Sequence, residues 1–354
     1  MENSAEAMPE KNNEESAVSA DATSELVGAE TQELITPLPK YEKPDQTSNI
    51  WLRSFASLAA YLVLGYYIFP SYKILLLITA IVIIHELGHF FAMKFFGYND
   101  LGIFFIPLLG AYVSGTKREV SQRQSAIILL AGPLPGIIIG SILYLLDKSG
   151  VDYYFLDTSL ARIGILFIVL NLINLLPIYP LDGGQLLNRV FLEEESIISK
   201  LFILLSVGAM GFFAWRMYMA SGSSFAFVFL LFPAMMLFRL LGDKKITAIE
   251  KRIETEGLNT DVEYADLPDE DYWKIRNILV AEYPAFKEVP AAPPYVYHEK
   301  EEKIMVMIQS LLHRHLIQDV SLLGKILIFL IWAAGIASPW LLKMDMSFFS
   351  RFGG

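Results

Sequence analysis

The chain of 354 residues contains no cysteine and only 5 histidines. The absence of thiols excludes a disulfide framework and a thiolate metal site, so any bound zinc must be held by histidine and carboxylate. Charged residues are also scarce, at 19%, whereas hydrophobic residues reach 54% and the mean hydropathy is +0.44. Soluble domains contain about 25% charged and about 45–50% apolar residues. The composition therefore predicts a protein that lies mostly in a lipid bilayer.

Acidic residues outnumber basic ones, giving a formal net charge of −10. Much of this excess lies in residues 1–48, which are rich in Glu, Ala, Ser and Thr and poor in large apolar residues. Such a segment cannot bury enough apolar surface to fold, so we predict a disordered acidic tail on the cytoplasmic side. It lacks the layout of a signal peptide and the arginines of a transit peptide. We expect no nucleic-acid partner.

Apolar windows of about 20 residues, the length that crosses a bilayer, predict seven spans. They are Leu52–Phe69, Ile74–Phe96, Ala126–Leu146, Ile163–Tyr179, Ile198–Met219, Phe225–Leu241 and Leu322–Leu342. The seventh stands apart from the others and is interrupted by Ser338-Pro339. We predict an all-α polytopic membrane protein of about six or seven transmembrane helices. Residues 49–242 would form a core of six spans, 243–320 a small soluble accessory domain, and 321–354 an additional span with a short tail.

Basic residues predict the orientation of these spans. The loop Gly97–Gln124 carries Lys117, Arg118 and Arg123, whereas the stretch Asp147–Arg162 is acidic. The positive-inside rule places the basic loop in the cytoplasm together with the N-terminus, and the C-terminus outside. We expect a multi-pass protein of a bacterial cytoplasmic membrane.

The second span contains the sequence His85-Glu86-Leu87-Gly88-His89. On a helix the two histidines lie about one turn apart, so both imidazoles project from one face and can share a metal ion. Glu86 beside them suits a base that accepts a proton from an activated water. The alternative is that these polar groups only bond neighbouring helices. Ionisable groups in apolar spans are costly and usually functional, which favours a catalytic site. The motif lies towards the end of a span that leads into the basic loop, so we expect water to reach it from the cytoplasm.

A catalytic zinc site needs three protein ligands, and Asp182 is the candidate for the third. It lies where the fourth span breaks at Pro177 and Pro180, before two glycines. The alternative is a simple Asp-Gly-Gly turn. Asn171 and Asn174 share a helical face and could bond neighbouring helices. Asn174, nearer the break, could instead hydrogen-bond a substrate carbonyl.

The second-span motif together with residues 174–183, Asn-Leu-Leu-Pro-Ile-Tyr-Pro-Leu-Asp-Gly, resembles the site-2 protease family of intramembrane zinc metallopeptidases, peptidase family M50. The resemblance covers about Ile74–Gly184. It implies one zinc ion per chain held by His85, His89 and Asp182, with Glu86 as general base. It also implies that Asn174 helps to position the substrate.

A further family pattern, Ala131-Gly132-Pro133, lies on the third span. Many members carry asparagine where this chain has Gly136, so no substrate-contacting role is transferred to that position. Between the second and third spans, Leu101–Val113 is apolar yet contains Gly and Pro. We predict a membrane-associated β-hairpin there, whose unpaired backbone could receive an unwound substrate helix as an added strand. The alternative is an interfacial anchor rich in aromatic residues.

The function that the resemblance implies is regulated intramembrane proteolysis, in which peptide bonds within or next to transmembrane segments of membrane proteins are hydrolysed. The partners would be such substrates and the lipid bilayer. One alternative is a catalytically silent scaffold or chaperone on the same fold, although every ligand and the base are present. Another is a zinc transporter, which would need ionisable residues on several spans. The remaining histidines, His298, His313 and His315, are interpreted as solvated surface residues.

Overall fold

The computed structural model describes residues 36–43, 49–69, 71–107, 110–117, 120–192, 196–222, 230–312 and 316–344. The chain forms two compact units. The first, which we call the membrane core, comprises residues 47–244 and 314–354. The second, which we call the accessory unit, comprises residues 245–313 together with the segment that precedes residue 47.

The described residues are mostly helical. In chain order the elements of the membrane core are α1 (Ile50–Ile68), α2 (Tyr72–Phe95), β1 (Asn99–Ile106), β2 (Gly110–Thr116), β3 (Val120–Ser121), α3 (Gln122–Ala131), α4 (Pro133–Lys148), β4 (Tyr154–Phe155), β5 (Thr158–Ser159), α5 (Leu160–Leu175), α6 (Asp182–Phe191) and α7 (Ile197–Ser221). Helix α8 (Leu231–Thr255) includes residues of both units. The accessory unit further contains α9 (Asp269–Glu282), a 3-10 turn (Pro284–Phe286) and α10 (Glu301–Leu311), and the membrane core also contains β6 (Leu316–Ile317) and α11 (Leu322–Leu341).

Within the described ranges, four helical segments are long and apolar enough to cross a membrane: α2, α3 joined to α4, α7 over Ile197–Ala220, and α11. Helix α5 is apolar but shorter, with 16 residues. Large apolar side chains on these helices are exposed, as on α11, where Leu322 is 77% and Leu323 76% exposed. Such faces suit contact with lipid. The prediction of a membrane protein is thus confirmed, whereas the number of six or seven spans stays a prediction.

The expected helical fold with one hairpin is incomplete, because two further short strand pairs accompany the helices. Strands β1 and β2 form the predicted antiparallel hairpin. Strands β4 and β5 also pair antiparallel, and β3 pairs parallel with β6. Each strand of the last two pairs has only two residues, too few to leave an alternating pattern in the sequence.

Two proline-dependent breaks shape the helices around the site. Helix α5 ends at Leu175 and not at Tyr179, because Leu176 precedes Pro177 and adopts an extended ψ of 144°. The predicted third span is divided at Gly132, and Pro133 is the first residue of α4. Proline fits there because the first turn of a helix leaves its N–H groups without intrahelical partners.

The last helix, α11, packs within the membrane core and does not stand apart from it. Its Ile328, Trp332 and Ile336 pack against buried residues of α3, α4 and α6. The Trp332 indole donates to the Leu175 carbonyl at 2.9 Å. Because β3 leads into α3, β6 leads into α11 and the two strands are parallel, α11 runs in the same direction as α3 and α4.

Helix α8 differs from the predicted sixth span in its bounds. Residues 225–229 of that span lie outside the described residues. The helix then continues beyond Leu241 to Thr255. The apolar window ended at Leu241 because charged residues follow, yet most residues from Lys244 to Arg252 are good helix formers.

The accessory unit has its own apolar core, formed around α9 and α10 by residues such as Trp273, Ile275 and Ile304. Residues 36–43 belong to this unit, although they lie in the segment predicted to be disordered. Tyr41 packs against the apolar core. The composition of residues 1–48 as a whole concealed a local Pro-Leu-Pro-Lys-Tyr stretch that can dock on aromatic side chains. Residues 1–35 and 44–48 of the predicted tail lie outside the described residues.

Candidate metal centre

Helix α2 positions the first two candidate ligands. His85 and His89 are four residues apart, so they project from one face, and their Nε2 atoms lie 3.1 Å apart. Both side chains are buried, as is Glu86 between them. Helix α2 therefore presents two imidazoles and one carboxylate inside an apolar segment.

Asp182 reaches the same point from the break between α5 and α6. It is the first residue of α6. Its Oδ2 atom lies 3.1 Å from Nε2 of His85 and 3.2 Å from Nε2 of His89. The structure thus brings the three predicted ligands together. Among the described residues, no other group of histidine, aspartate and glutamate side chains is close enough to hold a metal ion.

Hydrogen bonds on the far side of each imidazole fix its tautomer. His89 Nδ1 lies 2.8 Å from the Ile128 carbonyl, which can only accept, so Nδ1 carries the proton. The Asn171 amide nitrogen donates to the Phe167 carbonyl at 2.7 Å, which turns the amide oxygen towards His85 Nδ1 at 2.8 Å. Nδ1 of His85 is therefore also the donor. In the neutral form of each imidazole, which is the form that binds a metal ion, the Nε2 lone pair therefore faces Asp182.

These residues fit a zinc ion. Three acceptor atoms, two imidazole nitrogens and a carboxylate oxygen, face one another at 3.1–3.2 Å. Without a cation between them, that arrangement is repulsive. Zinc with ligand distances of about 2.0–2.1 Å in a tetrahedron needs ligand atoms about 3.3 Å apart, close to the observed triangle. The donor set of two histidines and one carboxylate also matches catalytic zinc sites, which keep a fourth position open.

Three glycines where α2 and α5 meet the third span allow the candidate ligands to approach closely. A Cβ atom at Gly132 would lie 2.3 Å from His89 Nε2, and one at Gly88 would lie 1.9 Å from the Ala131 carbonyl oxygen. A Cβ atom at Gly136 would lie 2.1 Å from the Asn171 amide nitrogen. The glycines of the third span therefore make room for His89 and for the asparagine that orients His85.

The two glycines after Asp182 have a related role. A Cβ atom at Gly183 would lie 2.0 Å from the Leu175 carbonyl oxygen, and one at Gly184 would lie 2.3 Å from the Ile178 carbonyl carbon. The start of α6 thus packs directly on the end of α5 and the following loop. The Asp-Gly-Gly sequence forms a tight junction that also presents the carboxylate to the histidines.

A cavity of about 80 Å³ adjoins the triad. Its lining includes His85, Glu86 and Asn174, and also Gly110 and Ala111 of strand β2. Asn174 Nδ2 is only 3.4 Å from the Leu170 carbonyl, a long contact that leaves the amide available. The candidate base, the candidate substrate-binding amide and the hairpin therefore meet at one cavity.

The pairing of β1 with β2 determines which main-chain groups of β2 point out of the hairpin. On β1, the Phe105 N–H donates to Ser57 Oγ of α1 at 3.1 Å, so it points away from β2. Phe105 pairs with Ala111. Phe105 and Ala111 therefore form a non-hydrogen-bonded pair, in which the main-chain N–H and C=O groups of both residues point away from the partner strand. The Ala111 N–H and C=O thus point away from β1. Ala111, a lining residue of the cavity, therefore directs its main-chain N–H and C=O out of the hairpin.

The family model for peptidase family M50 matches residues 73–150. The resemblance to the site-2 protease family is thereby confirmed. The M50 match contains His85, Glu86 and His89, whereas Asp182 lies beyond it.

Two curated proteins are similar to the M50 region and its surroundings. Stage IV sporulation protein FB of Bacillus subtilis is 32% identical over 124 residues, which are 34% of this chain and 41% of that protein. A zinc metalloprotease of Methanocaldococcus jannaschii is 26% identical over 136 residues, which are 38% of each protein. The chain thus spans about two fifths of the length of these relatives. A solved site-2 protease from Methanocaldococcus jannaschii aligns with 53% of this chain and 85% of its own at 21% identity and a TM-score of 0.37.

The sequence did not predict two hydrogen-bond partners of the candidate metal centre. Asn171 was considered only as a contact between helices, yet it orients His85. Its spacing from Asn174 was a usable signal, because both lie on the face that carries the site. The Ile128 carbonyl left no signal, since every residue has one.

Of the three remaining histidines, the structure describes only His298. His298 belongs to the accessory unit, where its Nδ1 accepts a hydrogen bond from the Lys300 N–H at 3.2 Å. His313 and His315 lie outside the described residues.

Proposed function

We propose that this chain is a zinc metalloprotease that hydrolyses peptide bonds within or next to transmembrane segments of other membrane proteins. The observation that carries the proposal is the triangle of His85, His89 and Asp182 beside the carboxylate of Glu86. The two histidines and Glu86 lie on α2, a helix long and apolar enough to span a membrane. We infer one zinc ion per chain. When bound there, zinc lowers the pKa of a coordinated water towards about 7 and polarises a substrate carbonyl.

Glu86 is the proton carrier of this mechanism. Its side chain is buried and lines the same cavity as His85 and Asn174. It accepts the proton of the attacking water and delivers it to the amide nitrogen as the C–N bond breaks. The oxygen of the water remains on the carbonyl carbon, so the products are a carboxylate and an amine.

Two features of the cavity suit an extended peptide. Asn174 can donate a hydrogen bond to a substrate carbonyl. The outward N–H and C=O of Ala111 can pair with a substrate strand, because an exposed sheet edge accepts an added strand. A transmembrane helix must unwind before its peptide bonds are accessible, and strand addition to β2 compensates it for the lost helical hydrogen bonds.

The cytoplasmic side is the proposed side of access for water and substrate. The basic residues Lys94, Lys117 and Arg123 flank the hairpin that borders the cavity, and basic loops remain in the cytoplasm. We propose a multi-pass protein of a bacterial cytoplasmic membrane on this basis.

The test is Glu86→Gln in the purified full-length chain. We expect cleavage of single-span reporter proteins with helix-breaking residues in the membrane segment to fall by at least about 10²–10⁴-fold, because the proton carrier is lost. Zinc content, measured by atomic absorption, should stay near that of the parent chain. Glu288→Gln, at an exposed carboxylate of the accessory unit, is the control and should leave both quantities unchanged. Undiminished cleavage by Glu86→Gln would remove the assigned base.

A further inference from the structure

Residues 36–43 run as an extended segment over aromatic side chains of the accessory unit. Three of these side chains donate hydrogen bonds to its main-chain carbonyls. The Trp273 indole donates to the Leu38 carbonyl at 2.7 Å, and the Tyr264 hydroxyl to the Tyr41 carbonyl at 2.5 Å. The Tyr297 hydroxyl donates to the Pro39 carbonyl. The accessory unit thus binds three main-chain carbonyls of the segment, those of Leu38, Pro39 and Tyr41.

Lys40 is recognised separately. Its ammonium group donates to the carbonyls of Ala265 and Leu267, the latter at 2.9 Å, and lies 6.0 Å from the centre of the Tyr264 ring. Its main-chain N–H donates to Asp269 Oδ1 at 2.8 Å. Carbonyl oxygens and a ring face together select a cation at this position.

The aromatic side chains that contact the segment also pack against one another. The rings of Trp273 and Tyr297 are stacked with centres 5.9 Å apart, and Tyr295 meets Trp273 edge-on at 5.3 Å. Trp273 is buried in the core of the unit. Tyr41 of the segment meets Tyr297 edge-on at 5.5 Å. The rings are therefore held by the fold of the unit as well as by the segment.

The chemistry matches recognition of proline-containing peptides. Pro37 and Pro39 fix the backbone φ and lack an N–H, so the segment loses little entropy on binding and offers carbonyls as its main polar groups. Indole and phenol donors in an aromatic groove are the usual complement to such peptides. Contacts at the edge are weak: Lys43 pairs with Glu302 where both side chains are nearly half exposed.

We propose that the accessory unit is a peptide-binding module for an extended Pro-x-Pro-Lys-Tyr segment, and that residues 36–43 are its resident and displaceable ligand. The segment binds as a surface strip, with the side chains of Leu38, Pro39 and Glu42 exposed. All residues of this module lie in the accessory unit, and none of them belongs to the candidate metal centre.

The absence of cysteine allows the test to use one label on the full-length chain. Glu42→Cys, at an exposed position, carries a nitroxide, and electron paramagnetic resonance in detergent gives the ratio of mobile to immobile label. We expect an immobile label in the otherwise unchanged chain. Lys40→Met should raise the mobile-to-immobile ratio about tenfold, because a hydrogen-bonded charge is removed. Tyr297→Phe, which keeps the ring, should raise it about fivefold.

Lys43→Met is the matched control, since it removes a lysine of the same segment whose ion pair is exposed, and the ratio should not change. Displacement is tested in the Lys40→Met chain, where the tethered ligand is weakened. A synthetic peptide of residues 36–43 at millimolar concentration should mobilise the label further, and the same peptide with Lys40→Met should not. A mobile label in the otherwise unchanged chain, equal ratios for Lys40→Met and Lys43→Met, or no response to the peptide would each overturn the proposal.

Discussion

Two asparagines on α5 show how a difference of three residues separates two roles. Asn171 is 1% exposed, and both ends of its amide are engaged, one by the Phe167 carbonyl and the other by His85. Asn174 lines the cavity beside Glu86 and has only a long contact to its own helix. The first amide therefore holds His85, a candidate metal ligand, and the second lines the cavity where we propose that substrate binds.

Asn171→Ala should lower zinc affinity by about 10–100-fold, because His85 loses the acceptor that fixes its tautomer and orientation. Competition with a fluorescent zinc chelator measures this. Asn174→Ala is the matched control and should keep zinc affinity while raising the KM of cleavage. Gly136→Ala should weaken zinc binding as well, since the added methyl group would displace the Asn171 amide. Parent-like zinc affinity in Asn171→Ala would contradict the orienting role.

At the residue scale, the sequence predicts the three candidate ligands because polar groups in apolar segments are rare and therefore visible. It does not predict the Ile128 carbonyl, whose role depends on the packing of α3 against α2. It also interprets Gly132 only as a packing residue, whereas the structure places its Cα directly against His89. Contacts that depend on the absence of a side chain can be read only from the packed structure.

At the scale of elements, the hairpin and the helix breaks differ in how well they could be predicted. The hairpin was predictable because Leu101–Val113 combines apolar residues with Gly and Pro, and β1 and β2 occupy this region. The end of α5 was misplaced at Tyr179, because apolar residues continue past Pro177. The parallel pair of β3 and β6 could not be predicted, since it joins short segments that are distant in sequence.

Ala111→Pro tests the edge of β2. Proline removes an N–H that points away from β1, so the hairpin should tolerate it. Loss of one hydrogen bond to an added substrate strand should lower kcat/KM by about two- to tenfold, and zinc content should not change. Val113→Pro changes the next outward position, which is not part of the cavity lining, and should have a smaller effect. Unchanged kcat/KM in Ala111→Pro would exclude strand addition at this edge.

At the scale of the whole molecule, the chain combines two units that are stabilised in different ways. The membrane core brings its ligands together through apolar helices, tight glycine contacts and α11. The accessory unit holds a buried ion pair: Arg276 Nε donates to Glu301 at 2.7 Å, with both side chains 1% exposed. Tyr272 donates to the same carboxylate at 2.6 Å. Burial, together with this hydrogen bond, raises the pKa of Tyr272, so its hydroxyl stays protonated.

Glu301→Gln should destabilise the accessory unit by about 3–5 kcal/mol, because it leaves the Arg276 guanidinium buried without its counter-charge. Hydrogen exchange of the α9 and α10 amides, followed by mass spectrometry, measures the free energy of opening. Glu302→Gln changes the adjacent, half-exposed carboxylate and should have little effect. Removal of zinc by a chelator should change hydrogen exchange in the other unit. Exchange around His85 and Asp182 should accelerate while the amides of α9 and α10 stay protected, because a ligand stabilises only the structure that binds it. Equal loss of protection in both units after Glu301→Gln would show that they unfold as one.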